Sequence, residues 1–253
     1  MRLLWVALRK ELMEQWRSYR LLVTAVVLVA FGMMSPLFAK YTPEMLKLLP
    51  QGEAIAQLIP TPTIADAVAQ YLKNLSQFGV VLALLMAMGA VAQEKDKGTA
   101  AMMLAKPMPR GAFLGAKFAA LAGTFAVGIA LAGLGCYFYT LLLFGALDLP
   151  RWMALNGLVL LYMLVYVALT LFASTLTRSQ TAAGGLAFGL LMLLALPGAV
   201  PRLGEYLPGQ LVAWGGALMA GSAATYWPAL CISAGLIVVP LVAAWLIFER
   251  QEL

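Results

Sequence analysis

Residues 113–144 read FLGAKFAALAGTFAVGIALAGLGCYFYTLLLF, a run of 32 residues in which Lys117 is the only charged residue. At 1.5 Å per residue, a helix of this length would extend about 48 Å, whereas the hydrocarbon core of a bilayer is about 30 Å thick. A charged side chain at mid-bilayer costs several kcal/mol. The run therefore predicts a membrane-spanning helix that projects beyond the bilayer at its Lys117 end.

The composition of the whole chain indicates an integral membrane protein. Hydrophobic residues make up 63% of the sequence and charged residues 11%, against about 45–50% and about 25% in soluble domains. The net charge is +6, but the basic residues flank apolar runs instead of forming one polar face, so we expect no binding to nucleic acid. Lipid is the expected environment of most of this chain.

Six stretches are long and apolar enough to span a bilayer, which needs about 20 helical residues. Of the 17 Lys and Arg residues, 12 lie in the termini and in the segments on the same side of the membrane as the termini. The other 5 lie in the segments on the opposite side. The positive-inside rule therefore predicts a multi-pass, all-α protein of the plasma membrane with both termini cytoplasmic. The predicted spans are residues 21–38, 75–92, 113–144, 153–176, 182–200 and 229–248.

An amphipathic helix is predicted before the first span, at residues 3–20. Its apolar side chains recur at helical spacing, with Lys10, Glu14 and Arg17 on the opposite side. Such a helix can lie in the membrane interface, and the alternative is a cytoplasmic extension of the first span. The residues assigned to the interfacial helix are Trp5, Leu8, Arg9, Leu12 and Trp16.

Two segments on the predicted outer side are long. Residues 40–74 contain four prolines around short helical patterns, which predicts a small ordered cap. Residues 201–228 have an apolar middle at 210–220 that is too short to span a bilayer. This pattern predicts a re-entrant or interfacial hairpin before the last span.

Residues that carry common catalytic or metal chemistry are scarce. The chain has no histidine and no G-x-x-x-x-G-K-[ST] sequence, so histidine-based catalysis and a phosphate-binding P-loop are excluded. Cys136 and Cys231 fall in apolar runs without metal-ligand spacing, and the eleven acidic residues lie in loops, at span ends or in the termini. We therefore expect no catalytic site, metal site or cofactor in this chain.

Residues 93–112 form the segment that carries the most information about function. Gly98 and Thr99 predict a helix start, residues 100–105 a short apolar helix, and Lys106-Pro107 its end. The charges at residues 94–97 are expected to form a solvated ion-pair cluster. A short helix across the cytoplasmic ends of two spans would suit docking on a soluble partner.

The sequence EKDKGT at residues 94–99, followed by LAKPMPR and GAK, resembles the cytoplasmic loop of ABC-2 type transporter permeases. The six spans, the amphipathic helix, the proline-containing outer segment and the apolar hairpin are similar to that family over essentially the whole chain. The resemblance implies an ABC-2 bundle like that of type V ABC exporters. It also implies that the loop couples to an ATPase through Glu94, Lys95, Asp96, Lys97, Gly98, Thr99, Met102, Met103, Lys106, Pro107, Pro109, Arg110 and Lys117.

The partners that the resemblance implies are two separately encoded ATP-binding subunits and a second copy of the chain or a homologous permease. ATP and Mg would be bound by the ATPase partner, the helix at 99–105 would sit in a groove of that partner, and the N-terminal helix would add a second contact. Export is the direction that the resemblance implies.

Other interpretations remain open on the residues alone. A charged loop between two spans is often only a positive-inside anchor. A secondary transporter would also have many spans, although such carriers usually need intramembrane charges or broken helices. A non-transporting assembly subunit would have the same shape.

Overall fold

The computed structural model describes residues 2–48, 53, 60–99, 109–198 and 200–251. These residues form helices and connecting turns, and no strand occurs among them. The all-α prediction is confirmed. The helices in this part of the chain are α1 (Arg2–Arg17), α2 (Arg20–Lys47), α3 (Ile64–Ala87), α4 (Ala92–Asp96), α5 (Arg110–Leu143), α6 (Leu149–Leu176), α7 (Gln180–Gly198), α8 (Pro201–Gly204), α9 (Gly209–Met219) and α10 (Trp227–Arg250).

The prediction of six spans is confirmed, because six helical stretches of the described chain are long and apolar enough to cross a membrane. They are α2, α3 continued by α4, α5, α6, α7 and α10. The first two differ most from the predicted bounds: α2 runs on to Lys47, past residue 38, and α3 starts at Ile64, before residue 75. Both additions come from the predicted outer cap.

Local chemistry explains these two extensions. Pro36 and Pro43 lie inside α2 without ending it. At the start of α3, the backbone N–H and the hydroxyl of Thr63 both donate to Asp66 Oδ2 at 2.8 Å. The Asp66 carboxylate thereby satisfies the backbone N–H of the residue that precedes the helix, as in a capping box. The described part of the outer cap therefore consists mainly of helix extensions.

The bundle is built around α6, which is the most buried of the six spans. It contacts α3, α5, α7, α9 and α10, while α2 packs mainly on α5 and α3. The helices α7 and α10 lie at the edge and have few buried residues. We call the end of the bundle that carries residues 93–112 the loop end, and the other end the opposite end.

Polar contacts inside the bundle fix the orientation of the central helices. The amide of Asn74 on α3 donates to Ser35 Oγ on α2 at 2.9 Å, and the hydroxyl of Tyr71 donates to Asn156 Oδ1 on α6 at 2.6 Å. The indole N–H of Trp152 on α6 donates to the carbonyl of Gly133 on α5 at 3.2 Å. Hydrogen bonds between helices are a main source of specificity where water is absent. These contacts thus define the register of α2, α3, α5 and α6.

The N-terminal helix α1 is separate from the first span. Tyr19 adopts a left-handed backbone conformation with φ of 59°, and the chain turns there before α2 begins. The face of α1 that packs on the protein carries Ala7, Glu11 and Gln15, all buried. Trp5 and Trp16 on the other side are 65% and 73% exposed. This arrangement leaves the aromatic side chains free to contact lipid, and the interfacial position stays a prediction.

Helix α9, from the predicted hairpin, lies along the first half of α6. A Cβ atom on Gly215 would lie 3.1 Å from the Leu155 side chain, and one on Gly221 would lie 3.5 Å from the Arg151 guanidinium. Gly209, at the start of α9, lines a cavity together with Tyr162, near the middle of α6. The helix therefore begins beside the middle of α6 and ends beside its start.

Candidate functional site

A buried group of charges joins three elements at the loop end. Lys117, on α5, donates to both carboxylate oxygens of Glu11 on α1, at 3.2 and 3.1 Å. It also donates to Glu94 Oε1 on α4, at 2.7 Å. The side chains of Lys117, Glu11 and Glu94 are 3%, 7% and 13% exposed. One ammonium group therefore holds the amphipathic helix, the start of the loop and the third span together.

A second lysine completes this group. The ammonium of Lys10 lies 3.0 Å from Glu11 Oε1, 3.2 Å from Glu14 Oε2 and 3.2 Å from Glu94 Oε1. Two cations thus face three carboxylates. We call Lys10, Glu11, Glu14, Glu94 and Lys117 the charge cluster.

The pairing shifts the pKa values of Lys10 and Glu14, two members of the charge cluster. Burial disfavours the charged form of Lys10, but the carboxylates of Glu11, Glu94 and Glu14 outweigh it and raise the lysine pKa above its ordinary value. Burial also disfavours the charged form of Glu14, but Lys10 and Lys117 lower its pKa. Both side chains are therefore charged across the physiological pH range.

The three carboxylates of the charge cluster lie within 4.8 Å of one another, close enough to ligate one metal ion. Lys10 and Lys117 place ammonium groups against the same oxygens. Their positive charge takes the place that a metal cation would need. The arrangement is suited to holding helices together and not to metal binding.

The start of the loop is attached to the end of α6. Lys95 donates to the carbonyl of Thr175, and its ammonium also lies 3.5 Å from the carbonyl of Thr177. These carbonyls belong to the C-terminal end of α6, where backbone acceptors have no helical partner and favour a cation. The hydroxyl of Ser174 accepts from the backbone N–H groups of Val91 and Ala92, both at 3.0 Å. Helix α4 is thus held to α6 by the Lys95 side chain and by the backbone N–H groups at its own start.

The far end of the loop is attached to the end of α10. The guanidinium of Arg110 donates to the carbonyl of Phe248 and, at 3.0 and 2.9 Å, to those of Glu249 and Gln251. The buried Phe248 ring lies 5.7 Å from the Arg110 guanidinium and 5.6 Å from the Lys95 ammonium. Cations at this distance are attracted to the face of an aromatic ring. One ring therefore lies between the two ends of the loop.

A cleft of about 430 Å³ opens beside the charge cluster. It lies between the start of the loop and the turn from α1 to α2. Its wall carries both signs of charge, and Thr99 also lines it. The charged residues that line it are Lys10, Glu14, Arg20, Glu94 and Lys97.

Comparison with known proteins identifies the family. The ABC-2 family transporter protein pattern matches residues 5–253. The chain belongs to this ABC-2 family. It is also similar to a curated relative, the uncharacterized transmembrane protein YxlG of Bacillus subtilis (strain 168), with 27% identity over 219 residues and 83% of each chain covered.

Membership in the ABC-2 family defines the general role of the chain. It is a membrane permease component of an ABC transporter and a multi-pass membrane protein. ABC-2 permeases are transport subunits that are not themselves catalytic, and they generally work with an ATP-binding subunit. The resemblance seen in the loop sequence is thereby confirmed at the level of the family.

The ABC-2 loop residues predicted from the sequence divide into three groups. Glu94, Lys95, Arg110 and Lys117 make the side-chain contacts described above. Asp96, Lys97, Thr99 and Pro109 are exposed, and Gly98 has a positive φ of 66° that ends α4. Met102, Met103, Lys106 and Pro107 lie outside the described residues, as does the predicted helix at 100–105.

The expected solvated ion-pair cluster at residues 94–97 differs from what the structure contains. Glu94 pairs with Lys10 and Lys117, and not with its neighbours Lys95 and Lys97. The reason is geometric, since α4 packs against α6 and turns Glu94 towards α1 and α5. Only Asp96 and Lys97 of this stretch are exposed.

Three residues of this ABC-2 site were not singled out from the sequence: Glu11, Ser174 and Phe248. Glu11 carried a detectable signal, because Ala7, Glu11 and Gln15 recur every four residues and form one stripe along α1. Ser174 and Phe248 carried none, since each is an ordinary residue of a spanning helix. Their roles depend on which helix ends meet.

Proposed function

We propose that this ABC-2 permease exports a substrate from the cell, driven by ATP hydrolysed on two copies of a separately encoded ATP-binding subunit. The permease pairs with a second copy of itself or with a homologous chain. Both termini and residues 93–112 face the cytoplasm. Residues 99–105 dock on the ATPase and receive its movement, and ATP and Mg are held by that partner.

The observation that carries this proposal is the contact of Lys117 with both Glu94 and Glu11. A loop that served only as a positive-inside anchor would need solvated charges alone. Burying three charged side chains costs several kcal/mol each unless they are paired and hydrogen-bonded, and such groups often specify one arrangement of neighbouring elements. Here they attach the start of the loop to a spanning helix, which is what transmission of force requires.

The path of transmission follows the attachments at both ends of the loop. Movement of the loop start acts on α5 through Lys117 and on α6 through Lys95, while movement of its far end acts on α10 through Arg110. A push by the ATPase therefore reaches three spanning helices at once. The exposed residues next to the cleft, Lys97 and Thr99, offer the partner a polar contact.

Cysteine labelling on intact cells tests the orientation. In a Cys231→Ser background, Lys97→Cys should react with a membrane-impermeant maleimide only after the cells are opened. The matched variant Lys73→Cys replaces an exposed lysine in the third turn of α3, towards the opposite end. It should react on intact cells, and the reverse pattern of labelling would overturn the orientation.

Purification of the tagged chain in a mild detergent from its native membrane tests the partner. We expect a protein with a Walker motif to copurify in stoichiometric amount with ATPase activity. The Glu94→Gln variant, with one bond of Lys117 weakened, should retain the ATPase but reduce the transport obtained per ATP. A folded chain that repeatedly copurifies with no ATPase would contradict the proposal and favour a secondary transporter.

A further inference from the structure

A cavity of about 390 Å³ lies near the opposite end, between α6, α7 and the segment that leads into α9. Its volume falls in the range of small-molecule sites, which is about 300 to 1,000 Å³. Tyr162 and Tyr166 form the wall on α6, Leu194 and Gly198 the wall on α7, and Glu205 and Gln210 the third side. It is separate from the charge cluster.

The cavity reaches the middle depth of the bundle. Tyr162 is 13 residues from the start of α6 and thus about 20 Å from that end. Helix α7 has 19 residues against 28 in α6, so it ends well short of the opposite end. Residues from the segment 204–208 line the space at the end of this shorter helix, where a Cβ atom on Gly204 would lie 2.8 Å from the carbonyl oxygen of Gly198. A molecule in the cavity would therefore lie partly within the membrane.

The walls of the cavity combine aromatic faces with one negative charge. Tyr162 and Tyr166 line the cavity, and their rings pack on each other with centroids 4.8 Å apart at an interplanar angle of 72°. Glu205 is exposed at the mouth, and among the described residues that line the cavity none is Lys or Arg. Aromatic faces attract cations, and a carboxylate attracts them more strongly.

The helix ends at the cavity do not oppose this charge preference. The C-terminal turn of α7 at Ala195 and Gly198 brings the negative end of a helix dipole to the wall. The N-terminus of α9 brings the positive end of another, but the N–H groups of Gln210 and Leu211 already donate to the carbonyls of Leu207 and Pro208, at 2.9 and 3.0 Å. Glu205 therefore decides the sign of the preferred ligand.

We propose that this cavity binds an amphipathic organic cation, with its charge between Glu205 and the two tyrosine rings and its apolar part against Leu194 and Leu207. The claim that such a cation is the transported substrate rests on the proposed function. The claim that the cavity binds the cation does not depend on any ATPase. The binding site and the proposed function can therefore fail separately.

Equilibrium binding to the full-length chain in lipid nanodiscs tests the site. The probe is radiolabelled tetraphenylphosphonium, with empty nanodiscs as blank. The tetraphenylborate anion, which has the same shape and the opposite charge, serves as the comparison probe. Binding of the cation should be saturable, and Glu205→Gln should weaken it about tenfold without weakening the anion. Tyr162→Leu should also weaken the cation about tenfold, through loss of the aromatic face.

The control variant is Glu44→Gln, which removes an exposed carboxylate near the same end of the bundle but outside the cavity. It should bind the cation as tightly as the unchanged chain. Absence of saturable binding above empty nanodiscs would overturn the proposal. Equal weakening by Glu44→Gln and Glu205→Gln would also overturn it, since only the general surface charge would then matter. Copurification of an ATPase is unaffected by any of these outcomes.

Discussion

The ammonium of Lys117 and the carboxylate of Glu94 meet at 2.7 Å across a sequence separation of 23 residues. Glu94 lies just before the predicted docking helix, and Lys117 lies in the second turn of the span that follows it. The pair therefore closes the segment at its base. With the contacts of Lys95 and Arg110, both ends of the segment are attached to the ends of other spans.

Replacing Lys117 with methionine should destabilise the permease strongly. The change keeps the length and the apolar stem of the side chain but leaves Glu11 and Glu94 buried without their main cation. Removing one partner of a buried ion pair costs about 3 to 5 kcal/mol. The measurement is the thermal unfolding midpoint of the purified chain in detergent, together with hydrogen exchange of α1.

The control for this change is Lys73→Met, the same substitution at an exposed lysine. It should change the free energy of unfolding by no more than about 0.5 kcal/mol, so that the midpoint stays close to that of the unchanged chain. If Lys117→Met and Lys73→Met unfolded at the same temperature, the buried charge cluster would have no role in stability.

Phe248→Ala should loosen both ends of the loop together. The ring is fully buried, stacks on Phe113 with centroids 5.6 Å apart, and lies beside both Lys95 and Arg110. Removing a buried phenylalanine side chain costs about 3 to 5 kcal/mol. Hydrogen exchange should rise in residues 92–98 and 110–113, before it rises elsewhere.

Trp227→Ala is the comparison for the Phe248 prediction. It removes a larger aromatic side chain from the other end of the same helix, and that side chain is 61% exposed. Exchange in the loop ends should be nearly unchanged. Faster exchange at only one end of the loop in Phe248→Ala would show that the ring does not connect the two ends.

Gly32→Ala should disturb the contact between α2 and α5. A Cβ atom at residue 32 would lie 2.5 Å from the backbone carbonyl oxygen of Ala132, which cannot move without shifting the helix. Overpacking of this kind costs about 1 to 3 kcal/mol. Gly123→Ala is the matched change on α5, because nothing lies within 4 Å of its Cβ position. Equal unfolding midpoints for the two variants would contradict this account.

The attachment of α1 should weaken in acid and be insensitive to pH near neutrality. Because the pKa of Glu14 is depressed below 4.5, its stabilisation is present above that pH and is lost as the pH falls through the lower folded value. Lys10 has a raised pKa, so its contribution is complete below 10.5 and is lost only in stronger base. The protection factors of the amides in residues 5–17, which correct for the intrinsic pH dependence of hydrogen exchange, should therefore be flat between these limits.

The test of this pH dependence is the variant Glu14→Gln, which removes the titrating carboxylate. The acid-induced fall in the protection factors of α1 should be smaller in the variant than in the unchanged chain. Identical acid profiles would assign the loss of α1 to other groups.

The sequence predicted the number and order of the spans because hydropathy is a local property of each stretch. It misplaced the end of α2 and the start of α3, since Pro43 and the capped Thr63 made helical residues look like an outer loop. Gly98 was predicted with Thr99 as a helix start, but in the structure it lies just after the end of α4, where its positive φ matches the freedom of glycine.

The pairing within the site could not be derived from sequence in the same way. Lys117 and Glu94 were both chosen by their place in a family-like motif, but Glu11 lies 83 residues from Glu94 and its contact depends on how α1 folds back. Phe248 becomes important only because the end of α10 meets the ends of the loop. Such contacts between helix ends depend on how the whole bundle packs and cannot be read from the sequence of any one helix.

The hydrogen bonds of Asn74, Tyr71 and Trp152 have a consequence for how this chain can change over evolutionary time. They specify which faces of four helices meet, so the apolar side chains around the outside need only remain soluble in lipid. One such residue can replace another there with little selective penalty. We therefore expect substitutions to accumulate on the outer faces of α7 and α10, and distant descendants of one ancestral permease to keep this helix arrangement after most of their sequence identity is gone.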